Sequence, residues 1–295
     1  MKVFVTGATG FVGSAVVQEL LNKGHQVIGL SQNEKSDKAL AAVGVQAHRG
    51  NLIDLESLTK GAALADGLIH TAFNHDFSKF KESSENDRKL IEAFGEVYAG
   101  SERPMVITSA IGLLARGRLV DETKMPVAGQ NPRIATEQAV DAVAARGVRA
   151  SIVRLSPSVH GEGDHAFIPT LIKIAREKGV SVYTEEGNNR WPAVHRLDVA
   201  KLFVLALERS AQGGTRYHGV AEEGILFKDI AQAIGTGLNV PVVSKNKEES
   251  TAHFESFAHF AAMDINASSE KTQKSLSWQP NMPGLIDDLN GDIYF

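Results

Sequence analysis

The chain has 295 residues, 43% hydrophobic and 22% charged, with a formal net charge of −4 and no cysteine. That leaves room for one large domain or two small ones, and it excludes disulfides, a thiolate nucleophile and a cysteine-ligated zinc. There is no basic block to engage nucleic acid and no apolar run near the ~18 residues that span a membrane, so a cytoplasmic protein without either partner is expected.

Strands and helices alternate through the first half. "KVFVT" reads as a buried first strand, since glycines interrupt the apolar stretch and no A-x-A site follows as in a signal peptide. Val12, Ala15, Val16, Leu20 and Leu21 then share one helical face, with Gly24 at the C-cap. "QVIGL", "VQAH", "GLIHTA" and "PMVITSA" follow as strands, the last after a polar helix over Phe77–Gly100. "VRASIVRL" is a sixth strand, after a helix over Asn131–Arg146. This alternation predicts an α/β fold, a doubly wound parallel sheet of Rossmann type. Beyond Leu155 come amphipathic helices in "AFIPTLIKIAREKG" and "HRLDVAKLFVLALERS", a strand "RYHGV", and a helix "FKDIAQAIGTGL" followed by polar helical segments. The expected division is a dinucleotide domain over 1–156 and a smaller mixed α/β substrate portion over 157–295, with 190–220 packing back onto the first.

The turn between the first strand and helix is "TGATGFVG". Gly7 permits the turn, Gly10 lets a pyrophosphate approach the backbone, and Gly13 lets the helix pack on the sheet. The free N–H groups at the helix start then face the phosphates. At the end of the second strand, where an acid would hold a ribose 2′-hydroxyl, stand Ser31 and Gln32, with Lys35 and Lys38 nearby. No carboxylate repels a 2′-phosphate there and no arginine selects one, which gives NADP(H) a slight preference over NAD(H).

These features resemble the short-chain dehydrogenase/reductases over nearly the whole chain. They are most similar to the extended branch of nucleotide-sugar epimerases/dehydratases and steroid-dehydrogenase-like reductases. "TGATGFVG" matches the cofactor loop, which brings Thr9, Phe11 and Val12 into the expected cofactor site. "RGNL" resembles the segment after the third strand, so Asn51, in place of an acid, and Leu52 are expected near the adenine. "IHTAF" implies Thr71, Ala72 and Phe73 beneath the cofactor, and "VITSA" resembles the strand that carries a catalytic Ser/Thr, here Ser109 or by register Ala110, with Thr108 expected at the cofactor. "VRLSPSVHGEGD" resembles Arg-x-x-x-Val-Tyr-Gly-x-Gly, with Pro157 and Val159 at the cofactor and His160 in place of the tyrosine. "PAVHRLDVAKLFVLALE" resembles the later Val-His-x-x-Asp-Val-Ala stretch. Dimers through a helix pair are common in the family, so a homodimer is compatible with the resemblance.

The family's acid is a tyrosine one turn before a lysine, Tyr-x-x-x-Lys. None of Tyr98, Tyr183, Tyr217 and Tyr294 has a lysine four residues on. In "NPRIATEQAVDAV" the two positions fall on Arg133 and Glu137, and no slip of a few residues recovers the dyad. Arg133 and Glu137 share a helical face, either as an i,i+4 ion pair or as a functional pair with Arg133 anchoring or polarising a carbonyl or carboxylate. Arginine does not donate a proton at neutral pH. With Ser109, these form the expected catalytic set. His75, His160, Arg190 and His195 are the expected substrate-binding residues, because an imidazole suits neutral proton transfer. His160, Glu162, Asp164 and His165 lack helical His-x-x-x-His spacing and a third separated ligand, so no metal is expected.

The functional expectation is an NAD(P)-dependent reductase or dehydrogenase of a small carbonyl or alcohol. The alternatives are a non-catalytic cofactor-binding sensor and a nucleotide-sugar epimerase or dehydratase, the latter weakened by the missing tyrosine.

Overall fold

A computed structural model describes residues 1–74, 76–114, 117–127, 129 and 131–295, with Phe77 described by its backbone only. The first part of the chain runs β1 (Lys2–Thr6), α1 (Phe11–Asn22), β2 (Gln26–Ser31), α2 (Glu34–Ala42), β3 (Gln46–Arg49), α3 (Leu55–Ala63), β4 (Gly67–His70), α4 (Phe80–Tyr98), β5 (Met105–Ala110), β6 (Leu119–Val120), α5 (Ile134–Ala144) and β7 (Ala150–Leu155). It continues with β8 (Ser158–His160), α6 (Phe167–Lys178), β9 (Ser181–Thr184), β10 (Arg190–His195), α7 (Arg196–Arg209), β11 (Arg216–Gly219), β12 (Glu222–Leu226) and α8 (Phe227–Leu238). The last elements are β13 (Val242–Lys245), α9 (Lys247–Phe254), α10 (Ala258–Ala261), β14 (Asn266–Ala267), α11 (Glu270–Leu276) and α12 (Leu285–Asn290).

The main sheet has seven strands in the order β3-β2-β1-β4-β5-β7-β11, and every neighbouring pair is parallel. Alternate side chains of its apolar strands feed opposite cores, as the pleat dictates. Val3 and Val5 of β1 join Ile69, Val106 and Val153 under α1 and α7. Phe4 joins Leu68, Met105, Ile107 and Ile152 against α3, α4 and α5. The strand order reverses between β1 and β4, so the crevice at their C-terminal ends is the place where such sheets bind ligands.

The remaining strands form a three-stranded sheet β12-β10-β8 and two pairs, β13-β9 and β14-β6. Their core is aromatic, with Trp191 edge-on to Phe227 at 5.2 Å and Phe254, Phe257 and Phe167 around them. α7 and β11 belong to the main sheet's layers, whereas β10 belongs to the small sheet. Among the described residues no helix is long and apolar enough to cross a membrane.

Candidate active site

The cradle at the β1–α1 turn is built by glycine. Gly7 takes φ +70°, and a Cβ there would meet Thr71 Oγ1 at 2.7 Å and the Ala72 amide nitrogen at 2.9 Å. A Cβ on Gly13 would lie 2.0 Å from the Gly7 carbonyl oxygen. These two glycines therefore let α1 close onto β1 and β4. Thr71 completes the floor by donating to the Thr6 carbonyl at 2.7 Å. Gly10 differs: it is exposed, and its Cβ would approach only the Gly7 carbonyl, at 3.2 Å. No side chain caps α1, and its first turn carries no acid. Open amides beside an exposed glycine fit a phosphate-bearing ligand, with Thr9 exposed and Phe11 and Val12 half-buried around them. Gly13→Ala is expected to lower stability by about 1–3 kcal/mol, because backbone must move to admit the methyl group. It should also weaken NADH and NADPH binding; denaturant melts and fluorescence titration check both effects.

At the ribose end, Ser31 is fully buried and donates to the Asn33 carbonyl at 3.0 Å, while Gln32 is exposed. Arg49 of β3 pairs in register with Ser31, and its guanidinium bonds Asp37 of α2. Arg49 thus puts a cation near this end that the reading of the second strand alone missed. Asn51 is exposed and its Oδ1 accepts from the Ile53 amide at 3.0 Å, while Leu52 packs half-buried on the core. Pro157 and Val159 flank the start of β8, with Val159 in register with Val194.

Arg133 and Glu137 do not pair with one another; each has other partners. The Arg133 guanidinium stacks on Phe73 at 3.4 Å from the ring centroid. It donates through Nη2 to the Thr108 carbonyl at 3.3 Å, and its Nη1 lies 3.8 Å from Asp87 Oδ2. Nη1 is buried without a hydrogen bond. Burial pulls the Arg133 pKa down and the Asp87 charge works against that; it stays protonated at neutral pH.

Asp87 belongs to a chain of buried groups that the sequence did not suggest. Thr6 Oγ1 and His70 Nδ1 share a hydrogen bond of 2.6 Å, His70 Nε2 meets Asp87 Oδ1 at 2.9 Å, and the Thr136 hydroxyl donates to Asp87 Oδ2. Burial alone would raise the Asp87 pKa, but His70, Arg133 and Thr136 outweigh it and hold it low. An ionised Asp87 fixes the His70 proton on Nε2, so Nδ1 accepts from Thr6.

Glu137 is 1% exposed and lies among cations. Arg154 Nε and Nη2 donate to its two oxygens at 2.8 and 2.7 Å, Arg216 Nε approaches at 3.3 Å, and the Ser109 hydroxyl donates at 2.8 Å. Burial would raise this carboxyl, yet Arg154, Ser109 and Arg216 together hold it below its ordinary 4.5. Ser109, itself buried, has its hydroxyl proton committed to Glu137. The i,i+4 expectation fails because Arg154 presents a two-pronged donor set that Arg133, aimed at β5 and Phe73, does not. Arg154 also donates to the Lys124 carbonyl at 2.9 Å and contacts His218, whose pKa burial lowers to about 4. Glu122 in turn accepts from the Thr272 amide and hydroxyl at 2.7 and 2.6 Å. The buried cluster thereby ties residues 121–124, which lead toward α5, to the sheet.

His160 and His195 are buried side by side, ring centroids 5.4 Å apart, around Asp288 of α12. His160 Nδ1 is 2.6 Å from Asp288 Oδ2, and His195 Nδ1 accepts from the Leu197 amide at 3.2 Å as the cap of α7. Burial, with the neighbouring His160, lowers the His195 pKa. Arg190 is exposed on β10, apart from this pair, and its amide donates to Asp264. His75 lies outside the described residues.

A doubly wound parallel sheet with a glycine cradle at its switch point defines a dinucleotide-binding class of protein. The family model of the NAD dependent epimerase/dehydratase family matches residues 3–93 and 132–218, and the chain belongs to that family. It is 49% identical over the full length of both chains to an uncharacterised protein of Schizosaccharomyces pombe. It is 30% identical, over 72% of this chain and 66% of the other, to a 4-hydroxy-2-methyl-3-oxo-4-farnesyl-3,4-dihydroquinoline-1-oxide ketoreductase of Stigmatella aurantiaca. Among solved structures it resembles a UDP-N-acetylglucosamine 4-epimerase from Bacillus cereus, with a TM-score of 0.76, 14% identity and coverage of 98% and 95% of the two chains; this likeness speaks for the fold alone.

Proposed function

We propose that the chain is an NAD(P)-dependent reductase or dehydrogenase of a small carbonyl or alcohol, with Arg133 as the group that engages the substrate oxygen. The observation that carries this reading is the Arg133 guanidinium: buried, stacked on Phe73, bonded through Nη2 to Thr108, with Nη1 free of hydrogen bonds and 3.8 Å from Asp87. Glu137, whose carboxylate is sealed against Arg154, is left out of the chemistry. A nicotinamide dinucleotide, when bound, supplies or accepts the hydride. Gly7, Gly10, Gly13 and Thr71 would hold its diphosphate end, and the lack of an acid at Ser31 and Gln32, with Arg49 alongside, slightly favours NADP(H). Arg133 offsets the negative charge that develops on the substrate oxygen. Water supplies the proton that completes the alcohol, because a guanidinium keeps its own.

The ketoreductase relative from Stigmatella supports carbonyl reduction. A second reading, a cofactor-binding protein without catalysis, draws on Ser109, whose hydroxyl is given to Glu137. A panel of aldehydes and ketones incubated with the protein and NADPH or NADH separates the two. Sustained cofactor consumption above the buffer rate is the expected result, and none across the panel would contradict the reductase reading.

A further inference from the structure

Arg196 opens α7, at one of the unspecified positions of the Val-His-x-x-Asp-Val-Ala stretch. Its guanidinium lies over the Phe11 ring, 5.1 Å from the centroid, and Phe11 is the first residue of the cradle helix. Nη1 donates to the Glu162 carbonyl at 2.7 Å. Among the described residues no carboxylate pairs with Arg196.

The surroundings leave this cation without a counter-charge. α1 starts here with no acid in its first turn. Asp198, the acid in the first turn of α7, is buried and accepts from Lys201 at 3.1 Å and from the amides of Asn281 and Met282 at 3.0 and 2.9 Å. A cation at a helix N-terminus opposes the helix dipole. Two helix starts and a guanidinium thus gather positive potential beside an exposed glycine loop.

Loop 161–166 holds the arginine in place. The His165 ring meets Phe11 edge-on at 5.8 Å. Tyr294 donates to Asp164 Oδ2 at 2.9 Å and accepts from the Gly161 amide at 3.4 Å, which fastens the loop from its other side. Gly161 has φ +125°, and a Cβ there would lie 2.7 Å from His195 Nε2, so the loop approaches this closely only as glycine.

We propose that Arg196 is a cationic clamp on the dinucleotide's diphosphate, held over Phe11 by the Glu162 carbonyl and closing the open side of the α1 cradle. This rests on the cofactor-binding reading above. A guanidinium suits the role because it offers several donors in one plane to phosphate oxygens.

The test compares wild-type protein with Arg196→Gln and Arg196→Lys, titrated with NADPH, NADH and ADP-ribose, with melting curves to check folding. Arg196→Gln is expected to weaken all three ligands by about 10- to 100-fold, the loss of one charge-assisted hydrogen-bonded contact. Arg196→Lys should recover part of that loss, and the affinity of Arg196→Gln should depend less on salt. Arg196→Gln binding ADP-ribose within threefold of wild type would overturn the clamp and leave Arg196 as a cover for Phe11. Equal losses in both variants, with unchanged melting curves, would also overturn it. Failure of the wild type to bind any of the three ligands would instead contradict the underlying cofactor reading.

Discussion

Replacing Arg133 with glutamine is expected to lower kcat/KM for carbonyl reduction by about 100- to 1000-fold, the usual cost of removing a donor aimed at a developing oxyanion. The loss should fall on kcat more than on the Kd for NADPH, because Arg133 is separate from the glycine cradle. Glutamine also leaves Asp87 with less positive charge around it, so stability must be followed in parallel. Arg133→Lys should recover only part of the rate: a lysine keeps the charge but cannot stack on Phe73 while reaching the Thr108 carbonyl. Steady-state kinetics on any carbonyl that supports turnover decides the matter. A glutamine variant within threefold of wild type would remove Arg133 from the chemistry.

Glu137→Ala is expected to destabilise the fold by about 3–5 kcal/mol, because it leaves Arg154 buried without its anion. The Arg154 side chain is 0% exposed and that of Arg216 only 10%, so water cannot take the carboxylate's place. Replacing Glu137 and Arg154 together with methionine should restore much of the loss, since a buried pair exchanged for apolar volume is often near neutral. The same carboxylate sets an acid limit. Its pKa is held below 4.5 in the folded protein, so its contribution is complete above that value and disappears as pH falls through the folded pKa. Asp87 is depressed in the same way and adds to the effect. Urea melts between pH 7 and pH 3 should show wild-type stability falling below about 4.5, and Glu137→Gln should lose less over that range. A Glu137→Ala loss under 1 kcal/mol would contradict this account.

The parts of this molecule that follow strict local rules were readable from sequence. Spaced glycines after an apolar strand have one geometric solution, and Gly7 and Gly13 occupy it with no room to spare. The alternation of strand and helix likewise led to the seven-stranded parallel sheet. What the sequence did not reveal depends on distant partners. Helical spacing suggested that Glu137 meets Arg133, but the stronger donors come from β7 and β11, 17 and 79 residues away. Asp87 sits in a polar stretch of α4 and gives no sign that it is buried against His70. The missed small strands, such as Ser181–Thr184 and Val242–Lys245, are short and only partly buried, and they acquire their identity by pairing with each other. His160 and His195 looked like pocket residues by position, and only the fold turns them inward onto Asp288 from the far end of the chain.

Titration of the purified wild-type protein with NADPH and NADH, followed by nicotinamide fluorescence, decides whether the glycine cradle holds a dinucleotide. Saturable binding of at least one of them well below millimolar concentration is expected, with NADPH slightly the tighter. Weaker than millimolar binding of both would contradict it.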